Sequence, residues 1–172
     1  MRLKKFSILI LLQVISVAAF SQGKVNTEEL IKTGNQKESK KDYQGAINDF
    51  TVVIKQDSDN VNGYYYRGYV YYELKKYPEA INDFNKAIEL DSMDVESFFN
   101  RGNAKYEMKN YKDAISDYSF ALSLNPKDRQ CYYNKAIAEY NLGDMENVCR
   151  DLEQAAKLGD SMAAEVIKEL CK

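Results

Sequence analysis

The stretch YRGYVYYELKKYPEAINDFNKAIEL, residues 66–90, decides the fold. In its second half Ala80, Phe84, Ala87 and Ile88 fall at three- and four-residue spacing, which places them on one face of a helix. Its first half is a second helical segment around a small residue, Gly68. Shifting the sequence by 34 residues brings the same pattern back in both directions. Gly34, Gly68, Gly102 and Ala136 align, and so do Ala46, Ala80, Ala114 and Val148. Phe50, Phe84, Tyr118 and Leu152 form a third register, and Val53, Ala87, Ala121 and Ala155 a fourth.

A period of that length is one supersecondary unit repeated, and it divides the chain into units 27–60, 61–94, 95–128 and 129–162. Each unit reads as a helical hairpin. The Gly or Ala lets the first helix approach the second, while the ring or Leu of the third register fills the space between hairpins. One hairpin cannot cover its own apolar face, but stacked neighbours can. Residues 163–172 read as a short capping helix, with Ala164, Ile167 and Cys171 at helical spacing and Lys168, Glu169 and Lys172 turned away.

The period, the 66–90 stretch and Pro126 near the end of the third unit together resemble the tetratricopeptide repeat family. The resemblance implies an all-α, right-handed α-solenoid of four hairpins plus the C-terminal cap. The end units depart from the pattern, Leu30 standing where the others carry Tyr64, Phe98 and Tyr132, and Leu152 standing where the others carry a ring. Such departures suit ends that face solvent on one side.

At the start of the chain, Arg2, Lys4 and Lys5 precede an apolar run from Phe6 to Phe20 broken by Ser7, Gln13 and Ser16. With Ala19 and Ser21 as the small residues, residues 1–21 read as an export signal cleaved before Gln22, and 22–26 as a leader. The alternative is an uncleaved anchoring helix, which the mass of the mature N-terminus would distinguish. No Cys follows the run, so a lipid anchor is not expected. A periplasmic or secreted protein with no membrane span after cleavage is the expectation.

Composition narrows the function. The chain has no His, which removes the commonest general base and the commonest metal ligand. There is no Gly-rich phosphate loop and no close ligand spacing, so neither an enzyme nor a bound metal or cofactor is expected. The signal carries three of the 24 Lys and Arg and none of the 26 Asp and Glu, so the remainder has a net charge of −5. That surface repels phosphate backbones, and nucleic acid is not an expected partner. A protein or peptide is.

Fourteen Tyr remain to be explained. The family resemblance implies that positions two, five, six, nine, twelve and thirteen of each unit face a concave groove. These positions hold Tyr65, Tyr66 and Tyr69 in the second unit, Phe99, Asn100 and Asn103 in the third, and Tyr133 and Asn134 in the fourth, which form the candidate binding residues. Tyr72, Tyr106 and Tyr140, at the twelfth position, either face the groove or fill hairpin contacts. Tyr gives a rigid apolar face with a polar tip, and Asn offers donor and acceptor to a backbone. The family's best-known ligand, a C-terminal carboxylate, is held by cations and Asn. Here Ile31, Glu96 and Asn100, or in the other register Tyr65, Gln130 and Asn134, occupy the basic positions. A carboxylate tail is therefore not the expected ligand.

Asp49, Asp83, Asp117 and Asp151 recur at the period, as do Arg67, Arg101 and Lys135. Stacking suggests the inter-repeat pairs Asp49 with Arg67, Asp83 with Arg101 and Asp117 with Lys135. Cys149 and Cys171 each lie eleven residues from Asp160. They meet if residues 159–161 turn between antiparallel helices, which predicts a disulfide; two buried thiols are the alternative. Cys131 stands where other units have Gly63 or Ser97 and reads as a small packed residue. Two functional readings follow: an adaptor that docks a partner segment in the Tyr/Asn groove, and a structural subunit that packs through its outer face or ends.

Overall fold

The computed structural model describes residues 26–171, so the export-signal and cleavage expectations lie outside the described residues. Among these residues there are nine helices and no strand: α1 Thr27–Ser39, α2 Tyr43–Gln56, α3 Val61–Glu73, α4 Tyr77–Leu90, α5 Val95–Glu107, α6 Tyr111–Leu124, α7 Arg129–Leu142, α8 Met145–Lys157 and α9 Ser161–Leu170. Polar caps set many of the boundaries. Asn26, Asp42, Asn60, Asp128, Asp144 and Asp160 each accept a backbone N–H in the first turn of the helix they precede. Pro78 opens α4, where its missing N–H costs nothing.

The helices pair as α1–α2, α3–α4, α5–α6 and α7–α8, and each hairpin packs on the next through its second helix, with α9 closing the stack on α8. No helix among the described residues is long and apolar enough to cross a membrane.

The core follows the 34-residue registers. Ala46, Phe50 and Val53, then Ala80, Phe84 and Ala87, are fully buried along successive second helices. Each large side chain so enclosed stabilises the stack by about 2 kcal/mol. A Cβ built on Gly34 would lie 2.5 Å from Phe50 Cε1, and one on Gly102 would lie 2.7 Å from Tyr118 Cε1. Glycine there admits an aromatic ring into the hairpin. The fourth hairpin uses the other solution, Ala136 facing Leu152.

A second close approach, between hairpins, runs through Gly63, Ser97 and Cys131. A Cβ on Gly63 would meet Val53 and Ile54 at 3.0 Å, and Ser97 and Cys131 are fully buried. Only small residues fit where a first helix crosses the preceding second helix. Cys131 donates its thiol to the Tyr118 carbonyl at 3.4 Å, and burial pushes its pKa up, which suits packing and not nucleophilic chemistry.

Asp160 caps α9, so the cap starts at Ser161, earlier than position 163. Its buried stripe is Ala163 with Val166 and Ile167 packed alongside; Ala164, expected inside, is exposed. A disulfide joins Cys149 to Cys171, with Cα atoms 5.7 Å apart, and fastens the cap to α8.

Candidate binding groove

The first helices α1, α3, α5 and α7 line one face, and each also touches its counterpart in the next hairpin. Closer approach on that side makes it the inner side of the curve. Two recesses open along it and meet at Tyr69. The larger, about 420 Å³, has Tyr69 and Tyr72 from α3, Phe99, Asn100, Asn103, Tyr106 and Glu107 from α5, and Gln130, Asn134 and Ile137 from α7. The smaller, about 350 Å³, adds Asn35 and Glu38 from α1 to Tyr65, Tyr66, Phe50 and Val70. No Lys or Arg lines either recess among the described residues.

Side-chain hydrogen bonds tie neighbouring hairpins together along this face. Asn100 Nδ2 donates to the Tyr65 hydroxyl at 3.3 Å and to the Glu96 carbonyl at 3.0 Å. Asn103 Oδ1 accepts from the Tyr118 hydroxyl at 2.7 Å and from Asn134 Nδ2 at 3.0 Å. Asn141 Nδ2 reaches the Tyr106 hydroxyl at 3.4 Å. These bonds fix the amides, so the groove is organised before any ligand arrives.

The tyrosines divide by what they touch. Tyr66 stacks on Phe50 at 5.6 Å, Tyr65 tilts against Phe84 at 6.2 Å, and Phe99 against Tyr118 at 5.9 Å. These three line the groove and also support the core. Tyr72 and Tyr106, whose place the sequence left open, lie against Tyr77 and Tyr111 at 5.7 and 5.4 Å and still present a wall to the larger recess. Tyr69 and Ile137 belong to neither a ring pair nor a core cluster. Tyr133 does not line the larger recess. It lines an adjoining apolar depression with Ile137, Val148, Leu152, Val166 and Leu170, which meets the larger recess at Ile137.

Burial, then the charges of Glu96 and Asp94, pushes the Tyr65 hydroxyl up to about 12, and burial with Glu107 does the same to Tyr72. Tyr69 shifts upward through burial and then Glu73 and Glu38. The phenols stay protonated donors at neutral pH. Tyr118, on the floor of the larger recess, was not in the candidate set because it sits on a second helix. Its signal was a Tyr in the register where earlier units have Phe, since a buried hydroxyl needs a partner.

The charged ladder departs from the expected pairing. Asp83 accepts two hydrogen bonds from Arg67, at 2.8 and 2.7 Å, and Asp117 two from Arg101, at 2.9 and 2.6 Å. Lys135 bonds Asp151, and Lys37 meets Asp49 at 2.6 Å. All four pairs lie within one hairpin, so Asp49–Arg67, Asp83–Arg101 and Asp117–Lys135 are not the partners. Arg67 and Arg101 adjoin Gly68 and Gly102, while Asp83 and Asp117 adjoin Phe84 and Tyr118. The close approach that glycine allows brings those neighbours together. The links between hairpins go instead from Arg67 Nη1 to Thr51 at 3.2 Å and from Arg101 Nη1 to Asn85 at 2.7 Å.

Stacked helical hairpins with an inner face built from first helices define an α-solenoid repeat protein. The TPR repeat family model matches residues 68–109, and the tetratricopeptide repeat model matches residues 95–128. The two matches together span residues 68–128 and support a tetratricopeptide-type repeat protein. No curated protein matches it in sequence. Among solved structures, the Arabidopsis OM64 TPR domain is 28% identical, covers 66% of this chain and 94% of its own, and superposes with a TM-score of 0.64. The first TPR of Spaghetti (RPAP3), bound to the HSP90 peptide SRMEEVD, is 25% identical over 68% of this chain and 93% of its own, TM-score 0.67. The MamA protein is 24% identical over 77% of this chain and 72% of its own, TM-score 0.72, and shares the fold.

Proposed function

We propose that this protein is an interaction scaffold, without catalysis of its own, that receives a segment of another protein in the Tyr/Asn groove. The observation carrying this reading is the pair of recesses meeting at Tyr69, where hydrogen-bonded Asn side chains alternate with aromatic walls. A structural neighbour with a bound peptide, the first TPR of Spaghetti, supports the same use of the fold. That peptide, SRMEEVD, is acidic. The absence of Lys and Arg from both recesses argues against a ligand of that kind here. We place the protein outside the cytoplasm, in the periplasm or beyond, on the strength of the apolar start of the sequence and the Cys149–Cys171 bridge.

Tyr69→Ala with Ile137→Ala tests the groove, because neither side chain belongs to a core cluster. Recovery of partners by affinity purification should fall at least tenfold with helical content unchanged; undiminished recovery refutes the assignment. Replacing Tyr65, Tyr66 and Phe99 would be a poorer test, since their rings pack on Phe50, Phe84 and Tyr118.

A second reading uses the opposite side. Phe120, 41% exposed, lies 4.2 Å from Phe98 between ring centres, and Met93 is 63% exposed. A structural subunit packing through that face would be insensitive to the groove variant and disrupted by Phe120→Ser.

A further inference from the structure

The two recesses are free of Lys and Arg, and the groove around them carries uncompensated negative charge. Glu38 and Glu107 line the recesses, and Glu73 and Glu96 stand close enough to act on Tyr69, Tyr72 and Tyr65. None of these four carboxylates has a salt-bridge partner among the described residues, whereas the acids that recur at the repeat period, Asp49, Asp83, Asp117 and Asp151, are all paired. Glu107 has only the Tyr77 hydroxyl, at 3.4 Å. The one cation at a groove position, Lys32, is exposed, lines neither recess and meets Glu29 at 3.9 Å. Like charges gathered along one concave face repel each other, and a cationic ligand removes that cost.

The amides add a second, independent feature. Asn100 is only 8% exposed, and its Nδ2 is used by Tyr65 and Glu96. What it has left is its oxygen, a free and solvent-accessible acceptor on a residue that lines the larger recess. Asn103 is the reverse: its oxygen accepts twice, so its NH₂ is what remains for a ligand. The two lie one helical turn apart, and together they offer an acceptor and a donor to one edge of an extended backbone.

Resting on the groove reading above, we infer that the occupant is an extended segment rich in Lys or Arg, its backbone held by Asn100 and Asn103 and its cations set among Tyr72, Tyr106 and Glu107. Tyrosine faces attract a cation, and a carboxylate beside them holds it in place. Packed helices about 9 Å apart make a groove across four first helices roughly 27 Å long, which about eight extended residues span.

The test is fluorescence anisotropy with three labelled peptides of equal length that carry Lys, Gln or Glu at alternate positions between Ser residues. The Lys peptide should bind at least tenfold more tightly than the Gln peptide, the Glu peptide should not bind, and added salt should weaken the Lys complex. Glu73→Gln with Glu107→Gln should weaken the Lys peptide about tenfold, roughly threefold per exposed charge, and leave the Gln peptide unchanged. Glu79→Gln with Glu146→Gln, on second helices, should have no effect. No binding of the Lys peptide, or equal binding of the Gln or Glu peptide, overturns the inference. If binding is indifferent to Glu73 and Glu107 while Tyr69→Ala with Ile137→Ala still loses native partners, the groove reading stands and the cationic ligand fails. If the Lys peptide responds to Glu79 and Glu146 instead, and Tyr69→Ala with Ile137→Ala keeps its partners, both fail.

Discussion

Replacing Gly34 by Ala should destabilise the first hairpin, and replacing Phe50 by Leu in the same chain should remove the steric part of that cost. The new Cβ would stand 2.5 Å from Phe50 Cε1 and 2.7 Å from Cζ, far inside van der Waals contact, and Phe50 is fully buried with no room to turn away. Overpacking of this kind costs about 2 kcal/mol, against which Ala returns about 1 kcal/mol of helix propensity over Gly. Gly34→Ala alone should thus cost about 1 kcal/mol, and Phe50→Leu alone about 1–2 kcal/mol for the lost ring volume. Together they reproduce the arrangement that the fourth hairpin already has in Ala136 and Leu152. The steric term then disappears, and the coupling in the double-mutant cycle should be about 2 kcal/mol in favour of the pair. Urea denaturation followed by circular dichroism, without reductant so that the bridge stays closed, measures each corner. Additive costs would refute the idea that glycine is present to admit the ring.

Three further outcomes follow from the same geometry. Cys149→Ser with Cys171→Ser opens a closure spanning 22 residues and should cost about 3 kcal/mol, lowering Tm by roughly 10 °C; a shift within error would count against any stabilising role for the staple. A cycle on Arg67 and Asp83 should show about 2 kcal/mol of coupling, and one on Arg67 and Asp49 less than about 0.5 kcal/mol, the reverse of what stacking alone suggested. Burial holds the Glu139 carboxyl above its ordinary value despite the Lys135 ammonium at 2.8 Å, and its Oε2 has no hydrogen-bond partner. The folded chain thus binds that proton more tightly than the unfolded chain, and stability falls as pH rises from the ordinary carboxylate value through the folded one. Glu139→Gln should flatten that slope; urea titrations at several pH values decide, and an unchanged slope would contradict it.

Much of this molecule was legible in the sequence because repetition multiplies a weak signal. One Gly beside one Phe means little, but Gly34, Gly68 and Gly102 at a fixed distance from Phe50, Phe84 and Tyr118 reveal a packing rule. Cys149 and Cys171 could be matched because two helices around one turn leave little freedom of height. The ion pairs were misread because periodicity gives the spacing of residues but not their azimuth. Arg67 lies between two second helices, and only the glycine contact beside it decides that its carboxylate comes from its own hairpin. Tyr133 has the register of a groove residue, but its ring packs on the cluster of Val148, Leu152 and Ala163, so it borders the larger recess without lining it. Tyr118 shows the limit of assigning a face to a whole helix, since its ring packs in the core while its hydroxyl reaches the groove floor.

The central claim is that the inner, first-helix face is the recognition surface. Site-specific photocrosslinking tests it directly, with a benzophenone amino acid placed in turn at Tyr69, Ile137, Phe120 and Met93 of the full chain in the cells that make it. Adducts to the same partner from Tyr69 and Ile137, and none from Phe120 or Met93, are the predicted result. Adducts confined to Phe120 and Met93 would contradict it and assign recognition to the outer face.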